Sequence, residues 1–167
     1  DDFRKNVYEV EKAEEAYKKL NTGEVMTALF RYKPEKPKQT IEVNKEHKKK
    51  KINVAIIGAG QFMRGFIIPS IRKAKDMSIY AVATKSGHQA KKLADELKAK
   101  YASTSYMDIL NDKNIDLVAI GTRHDSHAEI SAAALKKGKN VFCEKPMAIE
   151  QEEFETLAKS IEKSKAL

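Results

Sequence analysis

From residue 52 onward, short apolar runs alternate with amphipathic stretches of helical period, and nothing else in the chain restricts its fold as much. Ile52–Ile57, INVAII, is nearly continuous in apolar character, as a parallel strand buried on both faces is. Arg64–Lys75 follows with Ile67, Ile71 and Ala74 on one helical face, and Pro69 inside it predicts a kink or a late start. Ser78–Ala83 is the second strand, and Gln89–Lys100 a helix with Ala90, Leu93, Ala94 and Leu97 facing inward. A weak strand at Tyr101–Ser103 and a short helix over Tyr106–Leu110 come next. Asp116–Ile120 is the fourth strand, Ala128–Lys137 a helix stopped by Gly138, and Asn140–Cys143 the fifth strand. Glu150–Lys163 closes the series, with Phe154, Leu157, Ala158 and Ile161 predicted to face in. Such alternation, without internal repeats, predicts an α/β fold: a right-handed, doubly wound, mostly parallel sheet.

Upstream the pattern differs. Residues 9–21 place Ala13, Ala16, Tyr17 and Leu20 on one helical face, with Gly23 as the left-handed terminator. Residues 25–32, VMTALFRY, read as a strand. Residues 34–51 lose periodicity and are rich in proline and lysine, so they read as a linker between a helix–strand appendage, 1–33, and the regular part, 52–167. Much of the net charge of +8 and the pI of 9.4 is local, in Lys45 and Lys48–Lys51. This cluster reads as a solvated linker; a nucleic-acid-binding arm is the alternative, but it lacks interleaved aromatics. No apolar run is long enough to cross a bilayer, so no membrane partner is expected. Cys143 is the single cysteine, which excludes internal disulfides and multi-cysteine zinc sites; no metal is expected, and a reducing, cytoplasmic setting fits. Asp1 in place of methionine, and an uncapped helical pattern running to Leu167, suggest a piece of a longer protein.

Ligands of open α/β sheets bind beyond the carboxyl ends of the strands. The residues there are Gly58-Ala59-Gly60-Gln61-Phe62-Met63, Thr84-Lys85-Ser86, Gly121-Thr122-Arg123-His124 and Glu144-Lys145-Pro146. The first group nearly spells the dinucleotide fingerprint G-x-G-x-x-G between a strand and a helix, which makes the fold Rossmann-type. Gly58 permits the tight turn, Gly60 lets backbone amides approach a pyrophosphate, and the helix start supplies the positive dipole end. Met63 replaces the third glycine, which normally permits close helix–strand packing; a long side chain there must push the helix away or turn aside. The acid that usually meets the ribose 2′-hydroxyl after the second strand is missing, and Lys85 in its place can pair with a 2′-phosphate, favouring NADP over NAD.

GAGQFMRGFIIPSI and GTRHDSHAEISAAALKKGKNVFCEKPMAIE resemble the nucleotide-binding domain of the Gfo/Idh/MocA oxidoreductases over residues 52–167. The matching features are the glycine turn, Pro69, Thr122, His127, Gly138-Lys139-Asn140-Val141 and Glu144-Lys145-Pro146. The resemblance implies a bound dinucleotide and a small-molecule substrate. It implies cofactor contacts from Gly58, Gly60, Gln61, Phe62, Met63, Thr84, Lys85, Thr122, Arg123, His124, Glu144 and Lys145. It adds His127 to these cofactor contacts, although a purely structural place at a helix start is the alternative. It makes Lys145 the catalytic residue, between nicotinamide and substrate, and suggests a cis bond before Pro146. Asp125 and Ser126 read as helix starters, and Cys143 as packing. Residues 9–32 resemble the C-terminal end of a zinc-type medium-chain alcohol dehydrogenase, as in a bacterial two-domain fusion.

These features point to a module of an oxidoreductase moving hydride between NAD or NADP and a sugar, polyol or other hydroxyl-bearing substrate, with a homo-oligomer possible. A nucleotide-binding scaffold without turnover and a basic nucleic-acid-binding protein are the competing readings.

Overall fold

The computed structural model describes residues 6–32, 39–44 and 52–166. The chain divides into two compact units, 1–37 and 38–167. The lysine cluster at 45–51 lies outside the described residues.

The first unit is a small β-α-β arrangement. Strand β1 (Val7–Glu9), which the sequence reading did not anticipate, pairs parallel with β2 (Leu29–Arg31), and α1 (Ala13–Thr22) connects them. Gly23 ends α1 at φ +76°, as expected. The strand is shorter than the predicted 25–32. Of the predicted inner face only Ala16 is fully buried; Tyr17 is exposed and lies against Phe30, ring centroids 6.0 Å apart. Three residues per strand offer too little surface to cover a whole helix stripe.

The second unit is a six-stranded sheet in the order β3-β6-β5-β4-β7-β8. Its members are β3 (Thr40–Glu42), β4 (Ile52–Ile57), β5 (Met77–Ala83), β6 (Tyr101–Ser103), β7 (Leu117–Ile120) and β8 (Asn140–Cys143). All neighbours pair parallel except β3, which runs antiparallel to β6 at one edge. Thus the stretch read as a linker contains a strand. Its backbone completes the free edge of β6, and the Thr40 and Ser103 hydroxyls both donate to the Asp108 carboxylate.

The period of two along β4 divides the core. Val54 and Ile56 face one layer with Met63, Ile68, Ile79 and Leu93. Ala55 and Ile57 face the other with Ile109, Leu110, Val118 and Ile130. Each fully buried Val or Ile here stabilises the fold by about 1.5–3 kcal/mol. The covering helices are α2 (Ile68–Lys73) and α3 (Gly87–Leu97) on the first face and α4 (Tyr106–Asn111) and α5 (His127–Lys136) on the second. The predicted disturbance at Pro69 takes the form of a π-helical turn, Met63–Ile67, directly before α2. Proline near the start of α2 has no N–H to offer the preceding turn, and the widened turn absorbs the mismatch. α6 (Gln151–Lys163) starts with a reciprocal Glu150–Glu153 capping box. Two of its four predicted inner residues are not inside: Phe154 and Ile161 are about half exposed, whereas Leu157 and Ser160 are buried. α6 rests on α5 along a narrow line, Ala132, Leu135 and Leu157, so less than the full apolar stripe is covered.

Lys139, in the Gly138-Lys139 turn, is a buried brace. Its Nζ donates to the carbonyls of Asp112 (2.6 Å) and Ile115 (2.8 Å), tying the start of β8 to the loop before β7. Burial lowers its pKa below the ordinary lysine value, opposed by Asp112 and Asp116.

Candidate dinucleotide site at the carboxyl edge

Cross-strand register sets the level of the site. Ser103, Ala83, Ile57, Ile120 and Cys143 stand opposite one another across five neighbouring strands. The next residues therefore form a row along the carboxyl edge: Thr84, Gly58, Gly121 and Glu144. Main-chain bonds hold that row together. Thr84 N–H donates to Ser103 O (3.2 Å), Gly58 N–H to Ala83 O (2.8 Å), Gly121 N–H to Ile57 O (2.9 Å) and Glu144 N–H to Ile120 O (3.0 Å). The strand order reverses between β4 and β7, which is where open α/β sheets leave a crevice.

Gly58 sits in that crevice at φ +82°. A Cβ on it would lie 2.6 Å from both Gly121 O and Thr122 N, so only glycine lets the two tails approach this closely. Gly60 is exposed, and a Cβ there would meet only Gly121 O, at 3.7 Å. The protein itself leaves the space over Gly60 open. The first helical bond after the turn runs from Arg64 N–H to Gly60 O, so the amides of Gln61, Phe62 and Met63 have no intrahelical acceptor. Arg64 braces the turn, its Nε donating to Ala59 O at 3.1 Å. The open glycine turn and the helix-start amides that no intrahelical carbonyl accepts fit a pyrophosphate.

Met63 turns aside rather than lining this cradle. It is 1% exposed, and a Cβ on Gly121 would fall 2.0 Å from its Cγ. The small residue that permits close packing has moved from the helix to the end of β7. The expectation that Met63 contacts cofactor is therefore corrected for its side chain, which belongs to the core. Gly121 was not anticipated as a packing residue; its signal was a glycine directly after the LVAI strand. Gln61 and Phe62 are exposed, and Phe62 stacks on Phe66 at 4.9 Å between centroids.

At the β5 end the Thr84 hydroxyl donates to Ser86 O (2.7 Å), and Ser86 caps α3 by accepting from Gln89 N–H. Lys85 is exposed beside it. At the β7 end Thr122 is half-buried and Arg123 and His124 are exposed. Ser126 stands at the cap position of α5, but its hydroxyl turns back toward Thr122 Oγ1 (2.8 Å) and Arg123 O (2.9 Å). His127 has no exposed surface: Nδ1 lies 2.8 Å from Pro146 O and Nε2 3.2 Å from Thr122 O. The expected cofactor contact by His127 is corrected accordingly, since its ring is enclosed between two tails. Lys145 is exposed on the β8 tail, and the Lys145–Pro146 bond is cis, as expected. Cys143 is half-buried, and burial pushes its thiol pKa up, which suits packing rather than nucleophilic work.

Residues 52–167 match the family model for the oxidoreductase family with an NAD-binding Rossmann fold, Gfo/Idh/MocA. The chain belongs to this family. A trans-1,2-dihydrobenzene-1,2-diol dehydrogenase of Xenopus tropicalis is 30% identical over 103 residues, 61% of this chain and 31% of that protein. An inositol 2-dehydrogenase of Salmonella typhimurium is 46% identical over 44 residues, 26% of this chain and 13% of that one. Among solved structures, a myo-inositol 2-dehydrogenase of Lactobacillus plantarum superposes with a TM-score of 0.64 at 29% identity, covering 69% of this chain and 34% of its own. A 3-ketoreductase from Actinomadura kijaniata, crystallised with NADP, shares the fold at a TM-score of 0.64 and 23% identity, covering 70% and 37%. The chain thus spans about a third of the length of the diol dehydrogenase it matches.

Proposed function

We propose that residues 52–166 are the cofactor-holding half of an NAD(P)-dependent oxidoreductase acting on a hydroxyl-bearing substrate such as a sugar or polyol. What carries this reading is one row of residues at the carboxyl edge of a Gfo/Idh/MocA sheet. The open glycine turn lies in the middle, Thr84 and Lys85 at one side, and Thr122 and Glu144-Lys145 at the other. The cofactor, when bound, supplies the hydride-accepting or hydride-donating ring. Gly58, Gly60 and the amides of Gln61, Phe62 and Met63 would hold its pyrophosphate. Thr84 and Lys85 would meet the adenosine ribose, and with no acid there Lys85 favours a 2′-phosphate, hence NADP. Thr122, Arg123, His124 and Glu144 would flank the nicotinamide side. Lys145 would hydrogen-bond the reacting oxygen and hold or pass on its proton.

The upstream unit, residues 1–33, we assign to the tail of a zinc-type medium-chain alcohol dehydrogenase, which makes the whole a bacterial, cytoplasmic fusion enzyme. The resemblance of residues 9–32 supports this.

Lys145→Ala in the full-length protein should lower kcat by about a hundredfold or more, with dinucleotide affinity nearly unchanged. Parental kcat in that variant would remove Lys145 from the mechanism. Loss of dinucleotide affinity instead would make it a binding residue.

A further inference from the structure

The main-chain ladder that holds β8 ends at the bond from Glu144 N–H to Ile120 O. The next backbone bonds downstream are those of Ile149 and Glu150 N–H to the Glu153 carboxylate, at the start of α6. Between them lies the stretch Lys145–Ala148. Among the described residues, its hydrogen-bond tether is a single one, between the Pro146 carbonyl and His127 Nδ1 at 2.8 Å. The opposite nitrogen of the same ring lies 3.2 Å from the Thr122 carbonyl, on the β7 tail.

Both partners are carbonyl oxygens, so each contact requires a proton on the nitrogen that faces it. A proton on Nδ1 serves the shorter bond, to Pro146. A ring with no exposed surface, wedged between two main-chain acceptors, is more than a helix start needs. Ser126, already at the cap position of α5, bonds back to Thr122 and Arg123 instead. These bonds join the β7 tail, the first turn of α5 and the β8 tail.

We propose that His127 is a positioning residue. By holding the carbonyl of Pro146, it fixes the backbone that carries Lys145 against Thr122, and so sets where the ammonium stands in the crevice. The inference rests on the reading of Lys145 as the catalytic residue. It gives His127 a task that neither cofactor contact nor a plain helix start would supply. Placement matters here because an error of about 1 Å at a reacting group can lower a rate by roughly a hundredfold.

The test compares His127→Leu, His127→Asn and His127→Gln in the full-length protein. The asparagine amide nitrogen reaches about where Nδ1 is, and that of glutamine about where Nε2 is. His127→Leu should lower kcat by roughly tenfold to a hundredfold while the calorimetric Kd for the dinucleotide stays within about threefold. Amide exchange should quicken in residues 144–149, with the β4 and β7 peptides still protected. His127→Asn should keep kcat within about threefold of the parent and retain protection at 144–149, and His127→Gln should do neither. Parental kcat in His127→Leu, rescue by glutamine equal to that by asparagine, dinucleotide affinity lost in step with kcat, or exchange quickened throughout the sheet would each overturn the proposal. If the leucine variant does not fold, the asparagine–glutamine comparison decides. The exchange readout judges the tether without reference to catalysis. A Lys145→Ala variant with parental kcat would therefore sink the Lys145 reading alone.

Discussion

Gly121 occupies a pinched position. On one side a Cβ would fall 2.0 Å from Met63 Cγ; on the other, its own carbonyl lies 2.6 Å from where a Cβ on Gly58 would be. The third glycine of a dinucleotide fingerprint lets a helix close onto its strand. Here that contact is made between Met63 and the end of β7, with the small residue on the strand side. Gly121→Ala should therefore destabilise the protein by about 1–3 kcal/mol through overpacking. Met63→Ala alone should also destabilise, by leaving a cavity. Combined, the two should be less harmful than their sum, with a coupling of about 0.5–3 kcal/mol in denaturant melts. Additive effects would show that the two side chains do not compete for the same space. Gly58 and Gly60 were legible in the sequence because the fingerprint is local. The job of Gly121 was not, because it depends on a helix brought over it by tertiary packing. His127 was legible as a residue of the site's neighbourhood, but its enclosure between Thr122 O and Pro146 O depends on two tails meeting across strands.

At the level of elements, the strands and helices from β4 to α6 were readable because each carries its own period. Val54 and Ile56 alternate with Ala55 and Ile57, and Ala90, Leu93 and Ala94 repeat at helical spacing. β3 was hidden because three residues among lysines and prolines carry no period of their own; their partner is the edge of β6. What selects this register is polar. Thr40 and Ser103 converge on Asp108, which α4 brings beneath the edge. Asp108→Ala should loosen β3 selectively. Amide exchange at residues 40–44 should rise well above the parent, with β4, β5 and β7 still protected and the main melting transition lowered only slightly. Unchanged exchange at 40–44 would mean that the backbone ladder alone holds the strand. The exposed Phe154 and Ile161 show the converse error: a helical period reports a face, and only packing decides how much of it is covered.

For the molecule as a whole, the alternation of strand and helix implied a parallel sheet, but strand order lies in no local signal. That order brings Thr84, Gly58, Gly121 and Glu144 to one edge and makes a scattered set of tails a single crevice. The crevice as described offers a pyrophosphate cradle from backbone and glycine alone, so cofactor binding should need nothing beyond this unit. On the proposed reading turnover should need more, because the chain spans about a third of the length of the diol dehydrogenase it matches. The 167-residue chain is therefore expected to bind NAD(H) or NADP(H) in calorimetry and to form no reduced cofactor with sugars or polyols. In the same titrations, Lys85→Ala should weaken NADP by roughly tenfold, the loss of about one charge-assisted contact, and leave NAD unchanged. No heat with either dinucleotide at millimolar concentration would refute the cradle. An unchanged ratio of the two affinities in Lys85→Ala would leave the cradle intact and show that Lys85 does not read the 2′-phosphate.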